Sequence, residues 1–226
     1  MKDFNKTFIV AIDGPNGAGK STLAKEVAKR LNITYIDTGA MYRALGYYFT
    51  EKGYEMTDDS AVLHMKEPSL EFGFKDGKTV VILNQKDISD DIRTPEIAMA
   101  ASNISKLLPI RKYLVDLQRK MAKNQSVVME GRDIGSVVFP KAEVKVYLTA
   151  NLKKRAERRM KDYEKLGKEI SMEELLKDIE KRDRQDMERE NSPLIITQDA
   201  IVLDNSDMTF EETVTKMLEI IKEKVG

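Results

Sequence analysis

The 226-residue sequence contains no cysteine, no tryptophan and a single histidine. Without cysteine there is neither a disulfide framework nor a thiolate metal site, and a reducing compartment is natural. The lone histidine, His64, has no cluster of carboxylates around it in the chain, so it reads as a surface or packing residue rather than a metal ligand. No apolar run approaches the roughly 20 residues of a membrane span, and the N-terminal MKDFNKTF lacks the apolar centre of a secretion signal. Charge of one sign is missing too. Thirty-eight basic residues offset 38 acidic ones, which argues against the broad basic face that nucleic-acid or membrane binding requires. A cytoplasmic protein with no nucleic-acid or membrane partner is expected. It should be a monomer, since no coiled-coil seam or long apolar edge is visible.

What is present is a globular balance, 41% hydrophobic and 34% charged, long enough for one domain with inserted lobes. The most informative stretch is FIVAIDGPNGAGKSTLAKEVAKRL, from Phe8 to Leu31. Within it Gly14, Pro15, Asn16, Gly17, Ala18, Gly19, Lys20 and Ser21, followed by Thr22, fit the phosphate-binding loop, with two glycines five positions apart before Lys and Ser. Crowded phosphate oxyanions need several backbone N–H groups aimed inward, and side chains would block that approach. Lys20 then supplies a mobile point charge for the β- and γ-phosphates, Ser21 a hydroxyl for Mg²⁺, and the following helix its positive end. The apolar run before the loop and the helical spacing of Leu23, Val27, Ala28 and Leu31 after it favour this reading over a plain glycine turn.

Further along, Ile33 to Ile36 reads as a strand, with Thr38 as N-cap of a helix ending near Gly53. Tyr42 and Arg43 fall in its first turns and suit a second anion, although an ordinary capped helix with a surface arginine fits equally. From Leu70 the period changes to two. LEFGFK, the turn Asp76-Gly77 and TVVILN predict an antiparallel hairpin, with Lys86 to Ile88 as a third short strand, inserted into an otherwise parallel series. Thr94 and Pro95 open a helix carrying Ser102; a further helix, Ile110 to Ala122, carries Arg111. SVVME is a buried strand ending at Glu130-Gly131-Arg132-Asp133. Val144 to Leu148 is another, and a basic helix from Lys153 to Lys161 follows it. Arg155, Arg158 and Arg159 share one face there, as a solvated surface or as a phosphate clamp. Arg182, Asp186 and Arg189 likewise share a face of a helix from Met172 to Met187, where a salt-bridge ladder is the simpler account. Ala200 to Leu203 is a last strand, and Thr209 with Glu212 forms a capping box for the closing helix.

Five apolar strands alternating with helices predict a three-layer α/β/α domain with ligands at the carboxyl ends of its strands. Arg43, Arg132, Arg155, Arg158, Arg159, Arg182 and Arg189 exceed what one triphosphate requires, so two phosphate-bearing substrates are expected to face each other. An acceptor that is itself a phosphate, largely dianionic at neutral pH, needs no side chain to remove a proton. Phosphoryl transfer then depends on alignment and on cancelling charge.

The successive motifs GPNGAGKST, DTGAMYR, DIRTPEIA, EGRDIGSVVFP and RDRQD followed by SPL resemble those of the bacterial-type cytidylate (CMP/dCMP) kinases across nearly the whole length. The resemblance implies a P-loop kinase core with a five-stranded parallel sheet, built from residues 1–38, 104–153 and 186–226. It also implies a monophosphate-binding lobe over 39–103, enlarged by the antiparallel insertion, and a helical lid over 154–185. The implied reaction carries the ATP γ-phosphate to CMP or dCMP. Lys20, Arg132, Arg155, Arg159 and Arg182 would form the catalytic set, with Arg158 joining residues 14–22 on the ATP side. Thr38 and Tyr42 would line the acceptor pocket with Gly131, while Arg43, Arg132 and Arg182 grip its phosphate. Ser102, Arg111 and Asp133 would read the base, and Asp186 and Arg189 would serve the sugar and phosphate side. Cytosine offers an amino donor that a carboxylate accepts, where uracil presents a carbonyl that it repels. Ser21 and Glu130 would hold Mg²⁺. Glu130 stands where many members carry Asp, one methylene shorter, and Asn16 replaces the commoner Ser at a position expected to face solvent.

Other readings are a UMP/CMP or adenylate kinase and, from another class, a nucleotide-dependent switch. Asn5-Lys6 is followed by Thr7 and Phe8, not by the pattern that reads guanine, which counts against a GTPase.

Overall fold

The computed structural model describes residues 6–75, 78–165, 167 and 169–226. In chain order the elements are β1 (Ile9–Asp13), α1 (Lys20–Leu31), β2 (Thr34–Asp37), α2 (Thr38–Lys52), α3 (Asp58–His64), β3 (Leu70–Lys75), β4 (Lys78–Leu83) and β5 (Lys86–Asp87). They continue with α4 (Pro95–Ile104), α5 (Leu108–Met121), β6 (Val127–Gly131), β7 (Val144–Thr149), α6 (Leu152–Lys165), α7 (Met172–Glu188), β8 (Ile201–Asp204) and α8 (Phe210–Val225). A 3₁₀ turn covers Asp91–Arg93, and a π-helical turn covers Ile134–Val138. Two compact units emerge, Met1–Ile33 with Gln125–Gly226, and Thr34–Asn124.

In the first unit β1 lies between β6 and β7, parallel to both, with Ile9 opposite Val127, Asp13 opposite Gly131 and Val10 opposite Val144. β8 extends the sheet beside β7, so the strands of this unit run β6-β1-β7-β8. This is the expected three-layer α/β architecture with a five-stranded parallel sheet. β6 is buried along its whole length, as β1 nearly is. Strands covered on both faces must be continuously apolar, which is why their sequences lack alternation. Val10, Ile12, Leu23, Val27, Val127, Met129, Val146, Leu148, Met217 and Ile221 form this unit's core, each side chain stabilising it by about 1.5–3 kcal/mol. A smaller cluster of Ala156, Leu175 and Ile179 joins α6 to α7.

The second unit holds the antiparallel sheet β3-β4-β5, with Leu70 opposite Leu83 and Ile82 opposite Asp87. The turn expected at Asp76-Gly77 lies outside the described residues, as do Leu166 and Lys168 of the KLGKE segment. Met41, Leu45, Phe49, Ile104, Ile110 and Leu114 are fully buried among its helices. His64 closes α3 and stacks on Tyr54 at 3.8 Å between centroids, with Nδ1 2.9 Å from Glu67; it is a packing residue here.

Two expectations need correction. The N-cap of α2 is Asp37, whose carboxylate accepts from Ala40 N–H at 2.8 Å, and Thr38 is the first helical residue. Aspartate caps as well as threonine does, and local spacing does not separate adjacent candidates. Nor do Arg182, Asp186 and Arg189 form an intrahelical ladder. α7 ends at Glu188, and Asp186 turns instead to Arg132.

Candidate functional site

The loop between β1 and α1 is built as its composition demands. Gly14 has φ +151°, and a Cβ there would fall 2.0 Å from the Leu148 carbonyl oxygen. At Gly17, with φ +78°, an added Cβ would lie 3.1 Å from the Arg155 carbonyl oxygen and Cβ. Only glycine meets both conditions. Lys20 is buried and donates to the Pro15 carbonyl oxygen at 2.8 Å. Burial, then the charge of Arg132, pull its ammonium down to about 7. Ser21 donates its hydroxyl to Glu130 Oε1 at 2.7 Å, while Thr22 faces solvent.

The basic helix supports this loop from behind. Arg155 Nη1 donates to Asp183 Oδ2 at 2.5 Å and to the Asn16 carbonyl at 3.1 Å, and its Nε donates to the Ala150 carbonyl at 3.0 Å. Asp183 Oδ1 accepts from the Asn16 N–H at 3.3 Å. Asn16, expected to face solvent, is thus half-buried with its peptide held on both sides. Arg158 donates to the carbonyl of Ala18 and to both oxygens of Asn205, and Asn205 Nδ2 donates to Ala18 as well. Arg159 diverges from them, lying 5.5 Å over the Tyr163 ring and 3.8 Å from Asp162. The three arginines therefore do different things despite sharing a helical face.

A second cluster follows β6. Arg132 Nε donates to Asp186 Oδ2 at 2.7 Å and Nη1 to the Gly131 carbonyl at 3.2 Å. Burial alone would push the Asp186 carboxyl up, but Arg132, then Arg189 and Arg182, hold it below its usual range. Burial also lowers Arg182, with Arg132 and then Arg159 adding like-charge repulsion. Asp133 is buried, 3.8 Å from Arg189 Nη2. Arg189 Nε donates to the Ser192 carbonyl at 2.6 Å. Lys20 and Arg182 are thus both disfavoured as cations by burial and by Arg132, which Asp186 in turn holds charged; such a field suits multiply charged anions.

The second unit gathers the remaining candidates. Arg111 is buried, donates to the Ser105 carbonyl at 3.1 Å, and sits 5.8 Å from the Tyr42 ring centre. Ser105 in turn donates to the Ser102 carbonyl at 2.8 Å. Arg43 pairs with Asp37 at 3.3 Å, beside buried Thr38. Sequence reading passed over Asp13, Asp183, Asn205, Ser105 and Asp37. Two had a signal: Asp13 directly precedes the loop motif, and Asp183 lies inside RDRQD.

A parallel sheet with a phosphate loop after its first strand, and a crowd of arginines at the carboxyl ends of its strands, defines a P-loop phosphotransferase. Solved structures agree on the fold, which is all they show at 14% identity. An uncharacterized protein from Eubacterium ventriosum has a TM-score of 0.53, covering 96% of this chain and 99% of that one. A sugar kinase from a Janibacter species has 0.50, covering 96% and 95%. The cytidylate kinase family model matches residues 10–223, and the chain belongs to that family. It is 47% identical over 215 residues to a cytidylate kinase of Thermosipho melanesiensis, covering 95% of this chain and 97% of the relative. With one from Lactobacillus johnsonii it shares 46% over 224 residues, covering 99% and 97%.

Proposed function

We infer that this enzyme transfers the γ-phosphoryl group of ATP to CMP and dCMP, yielding ADP and the cytidine diphosphates. Beyond family membership, the observation that carries this reading is buried Lys20 at the phosphate loop beside Arg132, with Arg182 next to the same guanidinium; phosphate groups would relieve that crowding of positive charge. In this proposal the N–H groups of residues 14–22 and Lys20 bind the donor phosphates, with Arg158 on the same side. Arg43, Arg132 and Arg182 bind the acceptor phosphate, Thr38, Tyr42 and Gly131 line its pocket, and Asp186 and Arg189 serve its sugar. Asp133, Ser102 and Arg111 read cytosine: Asp133 accepts from the base amino group, and Arg111 and Ser102 donate to its ring nitrogen and carbonyl. Uracil in that position would leave buried polar groups unpaired. Since the acceptor is already an oxyanion, these residues position and neutralise rather than move a proton.

Ser21 and Glu130 fit Mg²⁺, presenting a hydroxyl and a carboxylate oxygen 2.7 Å apart, hard donors of the kind that ion takes together with waters and phosphates. Bound there, it would screen the donor phosphates' charge. A lid over 154–185, a monophosphate lobe over 39–103, a monomeric state and a cytoplasmic setting belong to the same proposal. Among the described residues, no helix is long and apolar enough to cross a membrane. The test is a coupled assay with ATP across CMP, dCMP, UMP and AMP. CMP and dCMP should be turned over with kcat/KM at least about a hundredfold above UMP and AMP. Equal rates with UMP would remove the cytosine-reading roles.

A further inference from the structure

We infer that Asp13 is a positioning residue that holds the Arg132–Asp133 loop in its substrate-reading geometry. The inference rests on the proposal that Asp133 reads the base. Asp13 ends β1 beside Gly131 of β6, the last residue before that loop. Its carboxylate accepts from the N–H of Ile134 through Oδ1 at 2.8 Å and of Gly135 through Oδ2 at 2.7 Å. These are the first two N–H groups of the π-helical turn after Asp133, and no side chain of the turn's own N-cap serves them. The Asp133 carbonyl, in turn, accepts from Val137 at 2.9 Å and Val138 at 3.1 Å. The peptide that follows Asp133 is therefore held at its carbonyl by Val137 and Val138 and at its N–H by Asp13, which holds the next N–H as well.

The far end of the segment is held separately. Lys145 donates to the Pro140 carbonyl at 2.6 Å and to Asp199 at 2.7 Å. Gly135 leaves room for both anchors, since a Cβ there would lie 3.2 Å from Lys145 Cδ and 3.3 Å from Asp13 Oδ2. A carboxylate is suited to this task because it presents two acceptors to two adjacent donors. An amide presents one acceptor and turns an N–H toward the other donor. Asp13 is buried with its carboxyl pushed up to about 6, so burying it has a cost that a purely structural contact could avoid with a neutral side chain.

The experiment compares wild type, Asp13→Asn, Gly135→Ala and Asp133→Ala with CMP and UMP at saturating ATP, and titrates ATP at saturating CMP. Asp13→Asn is expected to lower the CMP:UMP ratio of kcat/KM about tenfold, through KM for CMP, while KM for ATP stays within about twofold. Gly135→Ala, which crowds the same carboxylate, should shift the ratio in the same direction by less. NMR-resolved amide exchange at Ile134 and Gly135 should quicken in Asp13→Asn. An unchanged ratio in Asp13→Asn, while Asp133→Ala erodes it, overturns the positioning role and leaves the base reading intact. An unchanged ratio in Asp133→Ala overturns the base reading and this inference with it. Equal losses for CMP, UMP and ATP would make Asp13 merely structural and overturn the inference too. If Asp13→Asn does not fold, Gly135→Ala decides: an unmoved ratio overturns the role.

Discussion

Lys20 shows how much a single side chain depends on what surrounds it. Burial and the charge of Arg132 disfavour its ammonium, a cost that phosphate oxygens would offset. Lys20→Met should therefore reduce transfer by about a thousandfold or more while calorimetry finds CMP affinity little changed. Lost CMP binding with ATP turnover retained would contradict its assignment to the donor. Asp13 makes a different prediction. Burial raises its carboxyl from 3.8 to about 6 against the pull of two N–H donors. Across that window the folded protein binds more protons than the unfolded chain, so this group's contribution to stability is present at low pH and lost as pH rises. Asparagine does not titrate. In urea unfolding, the stability of wild type relative to Asp13→Asn should fall between about pH 4 and 6.5, by up to about 3 kcal/mol. A difference that stays constant with pH would show that the carboxyl is not held this way.

At the scale of elements, the pairing of α6 with α7 supports the phosphate loop. Their small core of Ala156, Leu175 and Ile179 brings Arg155 and Asp183 together behind Asn16. Asp183→Ala leaves a buried guanidinium without its carboxylate, and thermal or urea unfolding should show a loss of about 3–5 kcal/mol. Ser171→Ala removes only one end of the capping box that starts α7, so about 1 kcal/mol is expected. If the two variants were equally mild, the Arg155–Asp183 pair would not be a buried support. Helices and strands were largely legible because periodicity and caps are local: Thr94 with Pro95, the Thr209 box, and the change to period two at Leu70 all fall where expected. Thr38 against Asp37 was missed because neighbouring residues cap equally well. The π-helical turn at Ile134–Val138 was missed because it carries no periodicity of its own.

For the molecule as a whole, the central proposition is that two anionic nucleotides are held at once and their repulsion cancelled. Calorimetry with a non-hydrolysable ATP analogue and CMP together should return two nucleotides per chain. A stoichiometry of one would remove the kinase mechanism. The sequence by itself determined the donor loop, the alternation of strands with helices, the antiparallel insertion and the family, because these rest on residues adjacent or periodic in the chain. Tertiary structure alone decided which charge answers which. It sent Arg155 to Asp183, turned Asp186 to Arg132, and brought Asp13 to an N–H 121 residues away. Those partnerships follow from strand register and helix packing, and nothing in local spacing encodes them.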